Sequence, residues 1–279
     1  MTRFWEKSGD LWAHWRTNRG VHEAILAKID ARTAAEEPRV GTSVMDLAMG
    51  AGVDVIPLHI LREKRLVRFG GRDRIFCNEV DFRAVEQAKN LAKEYGVKLD
   101  TITRLYWQDM FAPGSPFQRD KPEIDYAMSS GHSLPGLANY DLELKTALNN
   151  VRQLLRPGGY FFCDFRNGDD FWRNAEYYIA DPLNNYRYEG KSTYLNAETI
   201  TVFPVQIGPR LMTLGYRNEE TKNYTLVRMR TCRLRKVLSW IQDKSAFGPE
   251  VPIEILYDYQ KSPPTEGHCE FYQAIVGPV

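Results

Sequence analysis

The stretch VMDLAMGAGVD, residues 44–54, places an acid, Asp46, ahead of small residues at alternate positions, Ala48, Gly50 and Gly52. Two further acids lie downstream, Glu79 in RIFCNEV and Asp109 in YWQDM. Small residues let backbone amides come close to a ligand, and carboxylates accept hydrogen bonds from hydroxyl, amino and ammonium groups. Such a set suits a nucleoside that carries a charged tail. A dinucleotide used for hydride transfer asks for G-x-G-x-x-G, whose third glycine lets the following helix pack on the strand beneath the pyrophosphate. Counted from Gly50 and Gly52, that third position is Val55. The hydride reading therefore fails where it has a steric need for glycine.

The elements that must carry these residues follow from apolar periodicity. From about residue 20 to 155, short apolar runs alternate with longer amphipathic ones, the pattern of βα units closing a parallel sheet. SVMDLAM and RIFCNEV read as the first two strands. DFRAVEQAKNLAKEYG reads as a helix with Asp81 as N-cap, Ala84, Ala88, Leu91 and Ala92 on one face, and Gly96 as its stop. LDTITRLYW and IDYAMSS are strands three and four. YDLELKTALNNVRQLLRPGG is a helix with Leu142, Leu144, Leu148, Val151, Leu154 and Leu155 apolar, closed by Pro157, Gly158 and Gly159, and YFFCDFRN is strand five. Beyond residue 167, TITVFPVQ, RLMTLGYRN and YTLVRMRTCRL alternate and are rich in β-branched and aromatic residues, as antiparallel strands are. A final hairpin is expected from PIEILYDY and EFYQAIV.

One acid thus follows each of the first three strands, at the edge where open α/β sheets bind ligands. Asp46 can hold an ammonium, directly or through water, Glu79 can accept from both ribose hydroxyls, and Asp109 from an adenine amino group, with Trp107 near the base. With no pyrophosphate to cradle, this pattern fits S-adenosylmethionine. Asp81, Gln108 and Ser129, beside these acids or at the end of strand four, complete the expected cofactor set. An ordinary βα turn with loop carboxylates is the competing reading.

Composition bounds the partners. The 279 residues are 43% hydrophobic, enough for one substantial core, and 37 Lys and Arg against 36 Asp and Glu leave no global field for nucleic acid. Four widely spaced cysteines form no C-x-x-C pair, which argues against a zinc site or a disulfide framework and fits reduced thiols in a cytoplasm. Charges interrupt the N-terminal stretch, and no run of roughly 18 apolar residues occurs, so neither export nor a membrane span is expected.

At GHSLPGLANYD, CDFRNGDD, YRYEGKSTY and LMTLGYRN the chain resembles the glycine N-methyltransferase group of class I S-adenosylmethionine-dependent enzymes, from roughly residue 40 to the C-terminus. The resemblance implies an α/β fold, a Rossmann-like methyltransferase sheet with an inserted antiparallel β-rich lid. It implies the lid over 168–236 within a single domain over 1–279, to which residues 1–40, outside the resemblance, are expected to add a helical cap. It also implies that Arg166 clamps the carboxylate of an amino-acid-like or amine substrate and that Tyr188 and Tyr216 surround the amine and sulfonium. Outside its span, Arg19 of RTNRG, with Trp12 and Trp15 alongside, suits the cofactor's carboxylate, while FWEKSGDLWAHW reads equally as an amphipathic helix that only covers the sheet. Where the family has asparagine, in G-N-S, this chain has His132, which is larger and can titrate. That departure leaves open a different acceptor, such as a thioether or a hydroxyl, or a role for His132 as proton acceptor. The resembling enzymes use an N-terminal arm in assembly, so a homo-oligomer is also open.

Two further alternatives stand. LREKRLVRFGGRDR and RMRTCRLRK are locally basic, as an RNA-modifying enzyme's surface is, although a solvated helix and an exposed strand face explain them more simply. A cofactor-binding regulator without turnover is the other.

Overall fold

The computed structural model describes residues 43–50, 52, 54–63, 74–129, 134, 141–169, 186–189, 199–208, 211–230, 232–257 and 271–279. Strand β1 (Ser43–Asp46) leads through the small-residue turn into helix α1 (Val55–Glu63). Pro57 falls in the first turn of α1, where a missing N–H costs nothing. Strand β2 (Arg74–Asn78) and helix α2 (Phe82–Glu94) form the next unit. Asp81 caps α2 by accepting from the Arg83 N–H at 2.8 Å, and Gly96 takes a φ of +68° just beyond its end.

Strand three is shorter than its apolar run suggests. Strand β3 covers only Thr101–Thr103, and Trp107–Asp109 form a 3-10 turn instead of its end. A short helix α3 (Pro116–Arg119) precedes β4 (Ile124–Ser129), which is buried along its whole length. Helix α4 (Asp141–Leu154) buries Leu144, Ala147, Leu148, Val151 and Leu154, of which each leucine and the valine contributes roughly 1.5–3 kcal/mol. Leu142 departs from the expected stripe and is 74% exposed, two residues round the helix from Leu144. Leu155 belongs to β5 (Leu155–Arg166), which starts before Pro157 rather than after Gly159.

Among the described residues, four strands lie between β5 and the next core element: β6 (Tyr186–Glu189), β7 (Thr199–Ile207), β8 (Leu211–Asn218) and β9 (Tyr224–Arg230). Helix α5 (Leu234–Ile241), which the alternating pattern of this region did not predict, then leads to β10 (Ile253–Tyr257) and β11 (Phe271–Val276).

The main sheet has the order β10-β11-β5-β4-β1-β2-β3. Strands β1 to β5 are mutually parallel, whereas β11 runs against both β5 and β10. A dinucleotide sheet, ordered 3-2-1-4-5-6, has no reversed strand inserted after its fifth. The direction of the chain's connections reverses between β1 and β4, which makes the carboxyl ends there the expected crevice. Two cores flank the sheet. One contains Met45, Leu47, Trp107, Phe161, Phe165 and Trp240, the other Val44, Met49, Ile56, Cys77, Met128 and Phe162. Cys77, Cys163 and Cys232 are buried and in no disulfide, and burial pushes the Cys232 thiol up to about 12.

The second sheet, β6-β7-β8-β9, is antiparallel throughout, as the alternation of its strands predicts. Its ends meet at a neck. Gly168 N–H donates to the Cys232 carbonyl at 3.1 Å, and Arg233 pairs with Asp169 at 2.9 Å. Asp141 on α4 receives Lys236 at 2.7 Å and Arg230 at 3.7 Å. Three basic side chains of RMRTCRLRK are thereby held in local ion pairs, while most of the other basic stretch lies outside the described residues. No described helix is long and apolar enough to cross a membrane.

Candidate functional site

The expected residues converge because parallel strands all point their carboxyl ends to one edge. Asp46, Ser129 and Arg166 are the last residues of β1, β4 and β5, and Glu79 follows directly on β2. The turn after β1 is bonded to the acid after β2, since Gly50 N–H donates to Glu79 Oε2 at 2.9 Å. Glu79 Oε1 accepts from the Asp81 N–H at 3.0 Å. A carboxylate has about four lone-pair positions, so each oxygen keeps capacity for a hydroxyl.

Two fully buried aspartates on neighbouring strands make an informative contrast. Asp125, near the start of β4, receives the Ser43 N–H at 2.8 Å and pairs with the Arg156 guanidinium. It is a structural acid at the far edge of the sheet. Asp46 accepts only the Ala48 N–H, at 3.1 Å on Oδ1, and Oδ2 is buried with no partner among the described residues. Burial holds the Asp46 carboxyl well above the usual carboxylate range, with repulsion from Asp54 and Glu79 adding to it and the Ala48 N–H opposing it. A buried carboxyl with one oxygen unmatched is costly in its ionised form unless a cation or donor completes it. Ser129 Oγ, also buried and without a hydrogen-bond partner among the described residues, is a second such atom on the adjoining strand.

The glycines have distinct reasons. Gly50 has a φ of +53° and open space where a Cβ would stand. Gly52 has a φ of +85°, and a Cβ there would lie 3.1 Å from both Ala88 Cβ and Ile56 Cδ1, so α1 and α2 pack across it. Its carbonyl accepts the Ile56 N–H at 3.0 Å, starting α1. Gly52→Ala is expected to cost about 2 kcal/mol in chemical denaturation, through left-handed strain plus the tight contact, whereas Gly50→Ala costs about 1. Equal losses in the two variants would remove the packing role of Gly52.

The aromatic and amide residues after β3 differ from expectation. Trp107 is only 2% exposed, stands edge-on to Phe161 at 6.5 Å, and donates its Nε1–H to the Leu47 carbonyl at 2.8 Å. Its indole braces the turn after β1 from the core, and the ring this stretch exposes is Tyr106, at 57%. Gln108 is half-buried and Asp109 exposed. Asn150 on α4 holds this turn by donating to the Trp107 carbonyl at 2.8 Å and the Gln108 carbonyl at 3.0 Å. Asn150 and Asn78 are the site-supporting residues that reading the sequence missed. Their signal was a polar amide inside an apolar periodic run, in RIFCNEV and TALNNVRQLL.

Arg166 is half-buried opposite Phe271 of β11. The lid register pairs Tyr188 with Ile200 and Tyr216 with Val202, two residues apart on β7, which sets both positions on one face of that sheet. Arg19, His132, Trp12 and Trp15 lie outside the described residues.

No protein-family model matches the chain, and no curated protein matches it. Solved structures do. A S-adenosylmethionine-dependent methyltransferase from Clostridium acetobutylicum matches with a TM-score of 0.57 and 14% identity, over 90% of this chain and 89% of that one. The CcbJ methyltransferase of Streptomyces caelestis gives 0.57 and 13%, over 93% and 89%. The sugar N-methyltransferase KedS8 of Streptoalloteichus gives 0.51 and 13%, over 91% and 85%. The chain has the fold of these S-adenosylmethionine-dependent methyltransferases along nearly its whole length. None of the three is described as a glycine N-methyltransferase, and the narrower likeness rests on the sequence motifs alone.

Proposed function

We propose that this protein is an S-adenosylmethionine-dependent enzyme that methylates the amine nitrogen of a small amino acid or related carboxylated amine. The observation that carries the cofactor assignment is the buried Asp46 oxygen without a partner among the described residues, beside a turn whose Gly50 amide is already bonded to Glu79. The residues present fit that group: Asp46 for its ammonium, Ala48, Gly50 and Gly52 for close backbone approach, Glu79 for ribose, Asp109 for adenine, and Ser129 with its orphaned hydroxyl. Bound there, the cofactor supplies an electrophilic methyl group on a sulfonium.

The chain's own residues have three tasks. They hold the acceptor's lone pair about 3 Å from the methyl carbon and in line with the departing sulfur, they exclude water, and they accept a proton from the amine. Arg166 binds the acceptor carboxylate through its fork of donors. Tyr188 and Tyr216, from the lid over 168–236, orient the amine, and His132 or water takes the proton. Arg19, from the segment 1–40, is the residue assigned to the cofactor carboxylate in this reading.

Incubation with labelled S-adenosylmethionine and a panel of amino acids, amines, amino sugars and thioethers tests this reading. Label is expected on a carboxylated amine. Label on a thioether alone would transfer the assignment to sulfur, and calorimetry showing no binding of S-adenosylhomocysteine would remove the cofactor.

A further inference from the structure

The C-terminal ends of β1, β2 and β3 are tied together by one buried side chain. Asn78, 1% exposed, is the last residue of β2. Its Nδ2 donates to the Leu47 carbonyl at 3.0 Å and to the Leu105 carbonyl at 2.9 Å. Its Oδ1 accepts from the Leu105 N–H at 3.1 Å and from Thr103 Oγ1 at 2.9 Å. With two carbonyls on one side and an N–H on the other, the amide has only one orientation that satisfies them. The Asn78 carbonyl also accepts the Met49 N–H at 3.0 Å. The second lone pair of the Leu47 carbonyl is taken by Trp107 Nε1.

Each anchor borders a proposed cofactor contact. Leu47 lies between Asp46 and Ala48, Glu79 follows Asn78, and Leu105 opens the segment that reaches Gln108 and Asp109. We infer that Asn78 is a positioning residue that fixes the spacing of three cofactor-binding loops, an inference that rests on the cofactor reading above. The role requires two donors and two acceptors in one plane at this reach. A carboxylate would turn an oxygen toward two carbonyls, and an aliphatic side chain would take from Leu105 the Asn78 partner of both its N–H and its carbonyl and leave the Leu47 carbonyl with Trp107 alone.

The experiment compares wild type, Asn78→Asp and Thr103→Val by calorimetry with S-adenosylhomocysteine and with adenosine, alongside the Tm of each ligand-free protein. Thr103→Val removes the hydroxyl that donates to Asn78 Oδ1 and to the Cys77 carbonyl, both between β3 and β2, and leaves the Asn78 bonds to Leu47 and Leu105 in place. Asn78→Asp is expected to weaken S-adenosylhomocysteine at least tenfold and adenosine less, because only the longer ligand spans the turn after β1 as well as the other two loops. Thr103→Val is expected to lower Tm while leaving Kd within about threefold of wild type. Trp107→Phe, which keeps a ring in the core and deletes the other donor to Leu47, serves if Asn78→Asp does not fold, with a smaller loss in the same direction. Tight wild-type binding with an unchanged Asn78→Asp Kd, or losses in both ligands that merely track Tm, would overturn the positioning role. Failure of the wild type to bind would instead overturn the cofactor reading itself.

Discussion

Asp46→Asn makes the ligand-free protein more stable and weakens S-adenosylhomocysteine by about 100-fold, the loss of one charged hydrogen bond in a dry site. The two effects share a cause. Burial and the Asp54 and Glu79 carboxylates penalise the ionised form of Asp46, and no cation offsets the penalty among the described residues. A neutral amide keeps the oxygen that meets the Ala48 N–H and removes the charge. The expected gain is about 1 kcal/mol, or about 2–4 °C in Tm for a chain of this size. The same amide presents a donor to the ligand's ammonium, which needs an acceptor. A variant that loses both stability and affinity would make Asp46 an ordinary structural acid.

The pH dependence has a definite sign. The folded-state value of Asp46 lies above its unfolded value, so between the two the folded protein holds a proton that the unfolded chain has released. Stability from this group falls as pH rises from about 4 through the raised value, and is level above it. Ligand binding runs the other way, because an ammonium favours the carboxylate. Below the raised value, binding should release a proton and affinity should fall with pH. Calorimetry in buffers of different ionisation heat, with Asp46→Asn as the reference, separates this proton from those of other carboxylates.

The parallel half of the fold was legible because each unit obeys its local rules. Asp81 caps α2 as its sequence position suggests, and the strands RIFCN and IDYAMS lie within the apolar runs that predicted them. Those rules fail where tertiary bonds decide. LDTITRLYW reads as a long strand, but the Asn78, Asn150 and Leu47 groups pull Leu105 and Trp107 into a turn held from three elements distant in sequence. Periodicity carries no information about such partners. At the candidate site, residue type and strand position put Asp46 and Glu79 at the carboxyl ends of neighbouring strands, whereas the surroundings of Asp46 depend on what lies across the sheet. Nothing local distinguishes Asp46 from Asp125; Arg156 and Ser43 do, by satisfying one and not the other. Trp107 was similarly ambiguous, since an indole beside an acid suits a base-stacking surface and a core equally until its N–H partner is known.

Arg166→Ala is expected to raise the acceptor KM by about 100-fold or more while the Kd for S-adenosylhomocysteine stays within about threefold. The size follows from losing two charge-assisted hydrogen bonds to a carboxylate, each about 1.5–3 kcal/mol, with partial replacement by water. The selectivity follows from position. Arg166 ends β5, two strands from β1 in the sheet, so it stands at a different part of the crevice edge from the turn that carries Asp46, Gly50 and Gly52. Arg166→Lys should recover little, because an ammonium cannot present the planar fork. An acceptor analogue lacking its carboxylate supplies the cross-check: it should react slowly with wild type and be almost indifferent to Arg166→Ala, since the group the arginine serves is already gone. If truncating the arginine and the carboxylate instead gives additive losses, the two do not meet and the clamp lies elsewhere in the site.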